Sequence, residues 1–150
     1  METSARSELR RLISMFILDT NILSEFRRRE PHGAVLSWLA SVPSSSLHFA
    51  AISAGEIQAG IEMTRKNDPQ KAAEIEHWLE TIMASVTCLD ANADILREWA
   101  RLMHGRSDHM IEDCLIAATA IVHRMTVVTR NVRDFERLAV PVLNPFEHKT

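Results

Sequence analysis

The sequence predicts an α/β fold, with a mostly parallel central sheet covered by helices on both faces. Short apolar runs recur at 15–18 (MFIL), 46–52 (SLHFAAI), 85–89 (SVTCL) and 126–129 (TVVT), and segments with helical spacing separate them. Strands that alternate with helices in this way need crossover connections, which make neighbouring strands parallel and bury the sheet on both sides. No internal repeat or low-complexity tract interrupts the alternation. At 150 residues the chain suits one domain with a substantial core that needs no covalent staple.

The run at 15–18 ends at DTN, a buried strand turning into a helix that Thr20 or Asn21 caps. Residues 1–14 are mostly polar and read as an extension or as sequence upstream of an alternative start at Met15, so that 15–150 is the single domain. GAVLSWLASV, 33–42, is a short amphipathic helix leading into the second strand, 46–52. Ser53 with Glu56 three residues on has capping-box spacing, and Ile57 and Ile61 continue the apolar face of the helix that follows. NDPQ breaks the chain, and Pro69 suits the first turn of the next helix, 70–85.

After the third strand, 85–89, ANADILREWARLMHGR is a helix ending near Gly105, and SDH joins it to MIEDCLIAATAIV, 110–122. In that helix Ile111, Cys114, Leu115, Ala118, Ile121 and Val122 form one apolar face, while Ile116, Ala117 and Ala120 make the opposite face nearly as apolar. Such a helix is buried on most sides, and Asp113 travels inward with it. TVVT is the fourth strand, rich in β-branched residues. RNVRDFERL is a short helix, and VPVLNPF a final edge strand, where prolines are tolerated.

Composition narrows the function classes. The net charge of −3 argues against a protein that holds nucleic acid by a general basic field, though FRRRE at 26–30 and TRNVRDFER at 129–137 are local clusters able to meet a phosphate. Cys88 and Cys114 have no metal-ligand spacing and read as small core residues, in keeping with a reducing cytoplasm. No apolar run approaches the roughly 18 residues that span a bilayer, and MFIL is too short for a signal segment. The histidines are scattered without ligand spacing; His109 stands nearest the acid-headed helix, and a loop histidine without a role is its plainer reading.

In a parallel sheet of this kind helix starts and strand ends share one edge, where ligands bind. Asp19 directly follows the first strand, Glu56 lies in the first turn of the helix after the second, Asp113 lies in the first turn of the helix that feeds the fourth, and Asp134 comes five residues after Thr129, the last residue of the fourth. Each has a local explanation: Glu56 as a capping acid, Glu112 and Asp113 as partners of the helix dipole, Asp134 as a surface cap. Asp19 resists one, having no basic neighbour in sequence. Two carboxylates about 5 Å apart repel by roughly 3 kcal/mol at an effective dielectric near 20. Convergence on one edge therefore calls for a counter-ion, and an all-oxygen set suits Mg²⁺ or Mn²⁺.

MFILDTNILSE, SAGEIQAGI, HMIEDCLIAATA and VVTRNVRDF with LNPF resemble, in order and spacing, the motif blocks of the PIN-domain ribonucleases, within the VapC toxin group and nearest its FitB-like branch. The resemblance spans residues 15–147. It implies a PIN α/β/α sandwich and a Mg²⁺- or Mn²⁺-dependent endoribonuclease with Asp19, Glu56, Asp113 and Asp134 as metal site and Thr129 assisting. Some relatives carry an acid at the position of Asn131, which leaves Asn131 and Asp134 as alternatives for the fourth place. The resemblance also implies a homodimer and a VapB-like antitoxin that covers the crevice. The helices 53–66 and 70–85, with Met63, Ile75, Trp78, Leu79 and Ile82, are a dimer or antitoxin surface on this view, although core packing explains those residues equally well.

Other readings stand beside this one. A haloacid-dehalogenase-like phosphotransferase also places an aspartate after its first strand, but wants an acid where Asn21 stands and a lysine near a later strand; the lysines here are Lys66, Lys71 and Lys149. A non-catalytic PIN-fold binding or regulatory partner would be expected to lack one of the acids, and none is missing. Single-stranded DNA is an alternative substrate for the same chemistry.

Overall fold

β1 (Phe16–Leu18) is the middle strand of a five-stranded sheet in the computed structural model, which describes residues 4, 5 and 14–149. The order is β3-β2-β1-β4-β5, with β2 at Leu47–Ala50, β3 at Thr87–Leu89, β4 at Thr126–Val128 and β5 at Val142–Leu143. Every pairing is parallel. Phe16 lies opposite both Leu47 and Thr126, and Ile17 opposite both His48 and Val127, so the central strand is laddered on both edges.

The alternation of side chains along β1 and β4 divides the interior into two cores. Ile17 and Val127 point to one side and pack with Cys114, Ile116, Ala117 and Ala120 of α6 (Ile111–His123), Phe135 of α7 (Val132–Glu136), and Trp99 and Leu102 of α5 (Ala93–Met103). Phe16, Leu18 and Val128 point to the other side. There they meet Ile22 and Leu23 of α1 (Thr20–Glu25), Trp38 of α2 (Gly33–Ala40), Ile57 of α3 (Ala51–Arg65) and Trp78 of α4 (Pro69–Ser85). The result is an α/β/α sandwich, as the sequence predicts, with β5 at the edge and Pro141 just before it.

Two local expectations fail, and both failures bear on the site. Ala51 and Ile52, expected in the second strand, begin α3, whose N-cap is Ala50 without a side-chain cap. Ser53 is therefore no cap; it is wholly buried in the first turn. Glu56 consequently lies in the second turn and not the first. The cap of α1 is Asp19, whose carboxylate accepts the Thr20 N–H, and neither Thr20 nor Asn21 holds that place. Asp68 caps α4 and Pro69 opens it.

α3 and α4 form an antiparallel pair locked by Arg65 and Gln58, which reach Glu76 at 2.9 and 2.8 Å. Leu79 is core, packed with Ile61 and Ala72, whereas Met63 is 72% exposed. Both cysteines are free thiols, Cys114 in the core. Among the described residues no helix is long and apolar enough to cross a membrane. The reading of residues 1–14 as an extension falls, apart from Ser4, Ala5 and Ser14, outside the described residues.

Phe135 is fully buried and anchors the five-residue α7 to the core beside α6. Phe135→Ala is expected to cost about 3–5 kcal/mol of unfolding free energy in a urea titration. A loss below about 1 kcal/mol would show that α7 is held by other means.

Candidate active site

The chain adds β2 and β3 on one side of β1 and β4 and β5 on the other, so the connections leaving β1 and β4 part in opposite directions. In open parallel sheets ligands bind in the crevice at such a parting. Asp19 and Thr129 are the first residues beyond those two strands. The Asp19 N–H donates to the Val128 carbonyl at 2.9 Å, extending the ladder by one bond and fixing the aspartate backbone.

Asp19 is only 4% exposed, and each of its carboxylate oxygens accepts one hydrogen bond. Oδ1 takes the Thr20 N–H at 2.7 Å and Oδ2 the Thr129 hydroxyl at 2.8 Å. Thr129, itself fully buried, also accepts the Asn131 N–H at 2.9 Å. Its one hydrogen is committed to Asp19, so it orients that carboxylate and has no proton left for a water. Asn131 is exposed, and its backbone N–H is the group bonded to Thr129.

A second relay of hydroxyls holds Glu56. The Thr20 hydroxyl donates to Glu56 Oε1 at 3.0 Å and lies 2.8 Å from the Ser53 hydroxyl. Since Thr20 has a single hydrogen to give, Ser53 donates to Thr20 and Thr20 to Glu56. The S-x-x-E spacing read as a capping box is thus two members of a tertiary contact between α1 and α3. Sequence reasoning missed Thr20 and Ser53 as site residues; the place of Thr20 directly after Asp19 was the available signal.

Electrostatics show which acids share the crevice. Burial raises the Asp19 carboxyl above its usual range, with the Thr129 and Thr20 bonds pulling the other way. Burial also raises Glu56, opposed by its bond from Thr20 and reinforced by Glu112, Asp19 and Asp113. Asp113 is pushed up to about 6, first by burial, then by Asp19, Asp134 and Glu112, while His109 lowers it. Asp19, Glu56 and Asp113 therefore lie within electrostatic reach of one another, and Asp134 within reach of Asp113. Glu112, read from the sequence as a partner of the helix dipole, acts on both Glu56 and Asp113.

Among the described residues none of these acids makes an ion pair. No three His, Cys, Asp or Glu side chains among those residues are gathered tightly enough to hold an ion by themselves. The arrangement is an open acidic crevice and not a closed cage. The helix starts of α6 and α7 present their acids, Glu112 with Asp113 and Asp134, in their first turns, where the helix dipole partly offsets the repulsion.

Residues 16–141 match the PIN domain, a span that begins with β1 and includes every acid of the crevice. The chain belongs to the PIN-domain family. VapC ribonuclease Y4jK of Sinorhizobium fredii is 32% identical to this PIN domain over 141 residues, covering 89% of this chain and 99% of that protein. Toxin FitB of Neisseria gonorrhoeae is 30% identical over 138 residues, covering 88% and 99%. The crystal structure of FitAcB from Neisseria gonorrhoeae superposes with a TM-score of 0.77 at 29% identity, over 89% of this chain and 99% of that one. VapBC-1 from nontypeable Haemophilus influenzae shares the fold, with a TM-score of 0.70 at 20% identity over 89% and 99%.

The raised Asp113 carboxyl has a measurable consequence. A folded-state pKa near 6 against 3.8 means the fold favours the protonated form, so stability falls as pH rises between those values and is level above them. In a chelator-containing buffer Asp113→Asn is expected to melt several degrees above the wild type near pH 7.5, with the gap closing near pH 4. Equal melting temperatures near pH 7.5 would mean that Asp113 carries no such strain.

Proposed function

We propose that this PIN domain is a Mg²⁺- or Mn²⁺-dependent endoribonuclease that hydrolyses RNA phosphodiester bonds and serves as the toxin of a toxin–antitoxin pair. The observation that supports the reading is that Asp19, Glu56, Glu112 and Asp113 act on one another electrostatically, with Asp134 acting on Asp113, and that none of them pairs with a cation among the described residues. An oxygen-only donor set fits a hard divalent ion. Its openness fits as well, since Mg²⁺ keeps several waters and is held by one or two carboxylates together with substrate phosphate.

Asp19 and Asp113 would hold the principal ion, and Glu56 and Asp134 would complete a second position or orient the attacking water. Such an ion makes hydroxide available at neutral pH and neutralises charge on the phosphate in the in-line transition state. Thr129 is a positioning residue: its hydrogen bond fixes the direction of the Asp19 oxygens. Thr20 does the same for Glu56. Arg130 and Arg133, exposed beside Asp134, would position the RNA backbone without reading its sequence.

The names of the relatives support the ribonuclease and toxin reading, and one structural neighbour, VapBC-5 from Mycobacterium tuberculosis, is a member of the VapBC family of toxin–antitoxin systems. For this chain an antitoxin would cover the acidic crevice. A second copy would pair through the outer face of α3 and α4, where Met63 and Met83 stand exposed. The mass in solution tests the dimer; a chain that stays monomeric at high concentration would contradict it.

The activity is tested by incubating the purified protein, freed of any bound partner, with a mixed RNA pool and Mg²⁺ or Mn²⁺. Cleavage is expected, abolished by EDTA and reduced at least about 100-fold in Asp19→Asn and Asp113→Asn. Thr129→Val is expected to lose less, about tenfold, because the carboxylate it orients remains. Wild-type protein that cuts no RNA with either ion would contradict the reading.

A further inference from the structure

Beside the acids lies a cavity of about 450 Å³, bounded by Arg130, Asn131, Arg133, Asp134, Asn144 and Glu147. Asp134 is the shared wall: it lines the cavity and acts electrostatically on Asp113. We propose, resting on the endoribonuclease reading, that this cavity seats the nucleotide flanking the cleaved phosphodiester, with Arg130, braced on Phe146, gripping its phosphate.

The bracing is a stack of side chains. The Arg130 guanidinium carbon stands 4.4 Å above the Phe146 ring, a cation–π contact. The same ring packs against the His32 ring, with centroids 4.9 Å apart and planes tilted by 59°. Phe146 is held from its backbone side too, its N–H donating to Asn144 Oδ1 at 3.0 Å in the turn after β5. His32 is fixed in turn: its ring Nδ1 accepts the Ala34 N–H at 3.2 Å and its backbone N–H donates to Oε1 of buried Glu25 at 2.8 Å. The stack thus joins the end of the chain to the α1–α2 connection and leads up to one exposed arginine.

The donors of that arginine are unspent. Among the described residues neither Arg130 nor Arg133 pairs with an acid or donates a hydrogen bond. A guanidinium already held in place loses less freedom when it takes a phosphate, and its fork matches two phosphate oxygens. Arg130 is thus preorganised for an anion that the chain itself does not supply.

The rest of the lining decides what kind of anion. Asp134 and Glu147 face the same space and would repel a free inorganic phosphate. A nucleotide within a single strand meets both halves of the lining, its phosphate the arginines and its base edge the amides of Asn131 and Asn144 and the acceptor oxygens of Glu147. The volume is at the smaller end for ligand sites, suited to one nucleotide and not to a duplex.

The test is steady-state cleavage of a fluorogenic single-stranded RNA in Mg²⁺ by the full chain, over a range of KCl. Arg130→Gln is expected to raise KM about tenfold with kcat within about twofold of wild type, and to reduce the salt slope of log kcat/KM by about 0.7. Arg130→Lys should keep the salt slope yet recover only part of KM, because lysine lacks the stacked plane. Phe146→Leu should raise KM about threefold and leave the slope unchanged, since the charge remains. Unaltered KM in both Arg130→Gln and Phe146→Leu, with wild type cutting normally, would overturn the subsite and leave the nuclease standing. If wild type does not cut, fluorescence anisotropy of the same RNA decides. Weaker binding by Arg130→Gln would keep Arg130 as a phosphate grip and remove its place beside a cleaved bond, and equal or absent binding would remove both.

Discussion

The carboxylate of Asp19 stands at the end of the central strand almost out of reach of water, held by one hydroxyl and one amide. Those two bonds offset part of the cost of burying a charge, but other acids act across the same crevice on Glu56 and Asp113. Removing like charges from water and placing them near one another is unfavourable on both counts. The rest of the molecule is organised so that this unfavourable arrangement holds its shape.

The strength comes from the sheet and its two cores. β1 is laddered on both edges and packed on both faces, so the residue that follows it inherits a fixed position. Thr129 follows β4, the neighbouring strand, and meets Asp19 across the crevice at 2.8 Å. Glu56 is reached differently, through the Ser53 and Thr20 hydroxyls that tie α3 to α1. Two of the acids are thus oriented by hydroxyls rather than by arginine or lysine. Hydroxyls fix direction while leaving the negative charge uncancelled, which is what a cation site requires and a merely structural carboxylate does not.

Much of this was legible in the sequence, for identifiable reasons. The strands announce themselves as apolar runs bounded by turn residues, and the helix of residues 111–123 by apolar residues on nearly all sides. Asp19 stands out because an acid ending a buried run has few innocent explanations, and Asp113 because its helix carries it inward. Ser53 and Glu56 misled because a local motif and a tertiary contact can share one spacing; the contact with Thr20, 33 residues away in sequence, decides between them. Thr129 was placed at the site, but its service to Asp19 depends on β1 lying beside β4, a pairing that no local pattern reveals. The stack of His32, Phe146 and Arg130 was invisible for the same reason, its members being brought together only by the closed fold.

The most direct measurement is thermal unfolding of the wild type and of the Asp19→Asn/Asp113→Asn double variant as Mn²⁺ or Mg²⁺ is added to chelator-treated protein. A ligand that binds only the folded state raises the melting temperature with the logarithm of its concentration. The wild type should show that rise, and the double variant should begin higher and stay level. A wild-type melting temperature indifferent to both ions would contradict the central claim, that the crevice is an arrangement of charge awaiting a divalent cation.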